Sequence, residues 1–144
     1  GRKMRIRGGA PYLSFKAELQ SFLDANKHHS RIGEYVRHLA KIVDRLQQVA
    51  HGMQKQMTAD TLQWASNTYP ALLAFGEATM VWRLLDMAVA AQKAMGNSRK
   101  NHFYQGKVMQ ATYYADITLP NLMATLETCL RKGREVVEMP VKAF

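Results

Sequence analysis

The sequence has 144 residues, 22% of them charged, with 20 Lys and Arg against 11 Asp and Glu for a formal net charge of +9. That length suits one domain, and sparse Gly and Pro beside plentiful Ala, Leu and Met argue for an all-α one. The single cysteine, Cys129, excludes an internal disulfide and fits a reducing compartment.

Residues 1–10 read as a basic, Gly-containing linker carrying Arg2, Lys3, Arg5 and Arg7. No apolar signal-type run follows this basic start. Pro11 suits a first helical turn, where its missing N–H has no partner to lose. Residues 12–25 then form a helix, with Tyr12, Phe15, Leu19, Phe22 and Leu23 on one stripe. Residues 26–30 are a turn.

Residues 31–57 give the clearest helix. Ile32, Tyr35, Val36, Leu39, Ile42, Val43, Leu46, Val49 and Met53 recur at three and four, with Lys41, Asp44, Arg45 and Gln48 opposite. Ser30 is placed to cap it. Thr58 is placed to cap the third helix, with Asp60 at the positive end of the dipole. Pro70 lies inside this third pattern and is expected to bend it, or split it into 60–68 and 69–95. Residues 71–94 are apolar on nearly every side, interrupted by Glu77, Arg83 and Asp86, which marks a central, buried helix rather than a membrane span. Arg83 and Asp86 are spaced to pair. Gly96 and Asn97 end the helix.

The fourth helix runs over 100–132 with a kink at Pro120 and a C-cap at Gly133, and 135–144 is a tail. Four long helices on short connections predict an all-α, up-down-up-down antiparallel bundle over 11–134. The expected core includes Tyr35, Leu39, Ile42, Leu46, Leu73, Phe75, Met80, Leu84, Val108, Ala111, Leu122 and Leu126.

Chemistry is harder to find. His28 and His29 point about 100° apart on a helix, and His38, His51 and His102 have no carboxylate three or four residues on. A metal site is not expected. Glu77 sits in an apolar stretch, where burial would make it a proton carrier; the plainer reading is a structural partner for an Arg or Tyr. Cys129 reads as a small buried apolar residue. His102, Phe103, Tyr104 and Lys107 suit either nucleotide stacking or an amphipathic seam, and the nine Met either a binding groove or core filler. The basic balance fits an acidic partner domain, a nucleic acid or an anionic surface.

Longer motifs narrow the choice. Phe103, Lys107, Ala111-Thr112-Tyr113-Tyr114-Ala115 and Leu119-Pro120 resemble the closing helix of the C-terminal domain in large bacterial acyl-CoA dehydrogenases. Gly1-Arg2-Lys3-Met4 is similar to the segment after that family's catalytic stretch, and Gly8-Gly9-Ala10-Pro11 to the opening of the extra domain. Tyr69-Pro70 and Phe75-Gly76 resemble positions of its third helix, with Trp82 in the following apolar run.

The resemblance implies a piece of a cytoplasmic, oligomeric FAD-dependent enzyme that oxidises an acyl-CoA thioester to the 2,3-enoyl-CoA. It places the family's catalytic Glu upstream of Gly1, so no residue here is carried over as catalytic, cofactor-binding or metal-ligating. The expected role is accessory: support of assembly, with Arg2, Lys3, Arg5 and Arg7 along an acidic or phosphate-bearing surface. The expected partners are the upstream catalytic domains and further copies of the subunit, with no nucleic acid and no membrane span. The alternatives are a stand-alone helical interaction module and a basic nucleic-acid-binding bundle.

Overall fold

The computed structural model describes residues 2–96, 101–129 and 135–143, with side chains from Ile6 onward except those of Val136 and Val137. Four long helices carry the fold: α1 (Ala10–Asn26), α2 (Gly33–Ala59), α3 (Thr61–Ala94) and α4 (Asn101–Thr128). A short α5 (Glu135–Glu138) and 3-10 turns at Arg2–Gly9 and Val141–Ala143 complete the described chain, which contains no strand among its described residues.

The long helices pack as one layered cluster. α3 lies along α4 and also against α2, α2 touches α4, and α1 rests on α2. α1 reaches α3 through rings: Phe15 meets Trp82 edge-on at 5.5 Å and Phe22 lies 6.5 Å from it. The core follows the helical period. Val36, Leu39, Ile42, Val43, Leu46 and Val49 of α2 join Ala71, Ala74, Ala78, Val81, Leu85 and Ala88 of α3 and Val108, Ala111, Ala115, Leu119, Leu122 and Leu126 of α4 in one buried cluster. The alanines of α3 leave room for close helix approach. Each fully buried Leu contributes about 1.5–3 kcal/mol of transfer free energy.

Leu39, Ile42, Leu46, Val108, Ala111, Leu122 and Leu126 are buried as expected, and Tyr35, Phe75 and Leu84 pack half-buried against them. Leu73 and Met80 are not core residues: they are 47% and 51% exposed. Each lies two positions beyond a core alanine, Ala71 or Ala78, which is about 200° around the helix. The third helix is therefore one-sided rather than buried on nearly every side.

Two caps differ from expectation. Ser30 does not cap α2; the N-cap position falls at Ile32, without a side-chain bond. The turn instead closes on Gly33, whose N–H donates to His29 O at 2.8 Å. The Lys27 carbonyl lies only 2.9 Å from where a Gly33 Cβ would stand, and it accepts from Arg37 Nη1 at 2.8 Å. Thr58 stays inside α2, turning its hydroxyl back to Lys55 O, and Asp60 caps α3 by accepting from Gln63 N at 3.1 Å.

α3 runs unbroken through Pro70, so it is not split there, and α4 runs through Pro120. α3 stops at Ala94, followed by Gly96 at φ 119°. Asn97 and Gly133 lie outside the described residues.

Candidate docking surfaces

The basic N-terminus forms tight turns rather than extended chain. Arg7 is exposed and holds a left-handed φ of 51°, a conformation unfavourable for a residue with a Cβ. The side chains of Arg2, Lys3 and Arg5 lie outside the described residues. Gly8 and Gly9 continue the positive φ at 66° and 87°, which glycine alone adopts without strain, and Pro11 falls in the first turn of α1.

Glu77 is exposed and makes no ion pair among the described residues. The burial that a proton-carrying role would need is missing. Arg83 does meet Asp86 at 3.6 Å, and Glu18 of α1 at the same distance, while its guanidinium stacks 4.0 Å above the Trp82 ring. Both ion pairs are half-exposed and worth little in stability.

The histidines do not converge: among the described residues no three metal-ligating groups come together. Tyr35 of α2 donates to Asp116 of α4 at 3.1 Å. Burial first, and then the Asp116 hydrogen bond, push its hydroxyl above the ordinary tyrosine range. Cys129 is fully buried, and burial pushes its thiol up, away from the thiolate that reactivity requires.

The partly open space between α1, α2 and α3, lined by Tyr12, Phe15, Leu19, Leu46 and Phe75, is about 20 Å³. That is room for about one water. A second, open depression is walled by α2 alone, at His51, Gln54, Lys55, Met57 and Thr58. Neither encloses a flavin, which needs a cleft burying most of the ligand.

The surface is unusual in its apolar residues. Tyr69, Leu72, Leu73 and Met80 of α3, and Phe103, Met109, Tyr113 and Ile117 of α4, are all exposed. On α4, Tyr113 and Ile117 stand two positions beyond the core residues Ala111 and Ala115, again about 200° around. Sequence reading missed this pair of faces, although the two-residue offset from the core stripe was available to mark it.

A profile of the family described as "Acetyl-CoA dehydrogenase C-terminal like" matches residues 15–140. The chain belongs to that family. It is also 26% identical, over 99% of its length, to the broad-specificity linear acyl-CoA dehydrogenase FadE5 of Mycobacterium tuberculosis. The chain spans 25% of that relative's length.

The family-like motif of α4 now has a physical reading. Ala111, Ala115 and Leu119 face the core, and Tyr114 packs at its edge. Tyr113 points out at 69% exposure. Lys107 sits 5.3 Å over the Phe103 ring, which itself meets Tyr104 edge-on at 5.5 Å. The exposed Phe103 and the half-buried Lys107 thus form a seam at the start of α4. Among the described residues no helix is long and apolar enough to cross a membrane.

Proposed function

We propose that this chain is the C-terminal accessory and assembly domain of an FAD-dependent acyl-CoA dehydrogenase, which oxidises an acyl-CoA thioester to the 2,3-enoyl-CoA. The observation that carries the reading is the family match over 15–140, with a relative four times as long that is itself an acyl-CoA dehydrogenase. The catalytic Glu, the flavin contacts and the thioester site then belong to upstream parts of the polypeptide. In this reading the bundle occupies 11–134, runs up-down-up-down with bends at Pro70 and Pro120, follows the 1–10 linker and ends in the 135–144 tail. The enzyme is a cytoplasmic homo-oligomer.

Removal of residues 11–144 from the full polypeptide tests the role. The truncated enzyme is expected to retain flavin and to change its assembly in sedimentation. Loss of flavin with assembly intact would assign the bundle to the cofactor site instead. A stand-alone interaction module is the second reading, favoured by the exposed apolar faces of α3 and α4; it predicts a native protein with no covalently linked catalytic part.

A further inference from the structure

Charge distribution sets the outward faces of α3 and α4 apart from the rest. Charged residues make up 22% of the chain, yet residues 61–82 carry only Glu77 and residues 108–126 only Asp116. Asp116 is engaged by Tyr35 of α2, so it is held toward that helix. Neither segment contains a single Lys or Arg, in a chain with 20 of them. By contrast α2 exposes Glu34, Arg37, Lys41, Asp44 and Lys55. Tyr69, Leu73, Met80, Met109, Tyr113 and Ile117 are open to solvent on these faces, where Glu77 stands one turn from Leu73 and Met80, and Arg83, paired with Glu18 and Asp86, stands one turn beyond Met80. Scarcity of charge together with exposed Tyr and Met is the composition of the centre of a protein interface, and apolar surface of this kind marks an interaction site.

The same composition selects the occupant. A nucleic acid, an anionic membrane or the phosphates of coenzyme A would each require several free cations on the face, whereas Arg83 at its end is already paired with Glu18 and Asp86. The partner is therefore a mainly apolar protein surface. A tether decides between the remaining sources: the relative is four times as long as the matched chain, and a linked partner is present at millimolar effective concentration.

Resting on the reading of this chain as a dehydrogenase domain, we propose that the outward faces of α3 and α4 dock on an apolar surface of the catalytic part of the same polypeptide. The basic N-terminal segment then supplies only a screened, longer-range attraction.

The test uses the full polypeptide with a photoreactive phenylalanine analogue, p-benzoylphenylalanine, placed at Leu73, at Tyr113 or, as a control, at the exposed Lys41 of α2. Irradiation from positions 73 and 113 is expected to give products of single-chain mass. Their peptides would join these positions to segments outside the 144 residues, and the Lys41 control would give none. Products of two-chain mass, or crosslinks to another protein or a nucleic acid, would overturn the proposal, as would a lack of any crosslink. The visible spectrum of the same preparation separates the two failures. A yellow protein bleached by an acyl-CoA but giving no intrachain crosslink sinks the docking alone, whereas a colourless protein sinks the dehydrogenase reading.

Discussion

Gly33 shows how much one side chain decides in the α1–α2 turn. A Cβ there would stand 2.9 Å from the Lys27 carbonyl, which is backbone and cannot rotate away. Gly33→Ala is expected to cost about 1–3 kcal/mol, the range for overpacking, read as a lowered urea midpoint. An unchanged midpoint would show that the turn yields freely. Tyr35 makes a pH prediction. Its folded pKa is raised, so its protonated form is favoured in the folded state. The associated stability is present below the ordinary tyrosine value of about 10 and is lost as pH rises through the higher folded value. Tyr35→Phe should flatten that alkaline loss; an identical alkaline profile would contradict it. The buried Cys129 thiol should resist a thiol reagent until the chain unfolds, and rapid labelling of the folded protein would contradict its placement.

At the scale of the element, α2 was the most legible part of the chain. Its charges and apolar residues separate cleanly, so period alone gives the buried stripe from Val36 to Val49. α3 and α4 were legible as helices but not as faces. In a stretch such as Leu72-Leu73-Ala74-Phe75, apolar character on two sides cannot say which side is covered. The covered side is set by the small residues Ala71, Ala74 and Ala78, which lie in the buried core. The α2–α3 boundary failed for a different reason. Thr58 and Asp60 are both good capping types two residues apart, and the choice depends on α2 continuing to Ala59. Asp60→Ala removes the bond to Gln63 N and should cost about 0.5–2 kcal/mol in thermal or urea unfolding. A loss at Thr58→Ala as large, with none at Asp60→Ala, would restore the other boundary.

For the whole molecule, the family resemblance was legible because its motifs combine core positions with turn positions. Ala111, Ala115 and Leu119 are fixed by packing, and Gly8 and Gly9 by positive φ. The surface of contact was not legible, because strong basic charge draws the eye to Arg2, Lys3, Arg5 and Arg7, while an interface core is marked by missing charge. In the full polypeptide, reversing those four charges should weaken docking at low salt and have less effect at high salt. Unchanged assembly and kinetics at low salt would remove the basic segment from the account. The most direct measurement is the intact mass and visible spectrum of the native protein, captured from its source through this domain. The account predicts a yellow protein several times heavier than 16.3 kDa that is bleached by an acyl-CoA. A colourless protein of 16.3 kDa would contradict it.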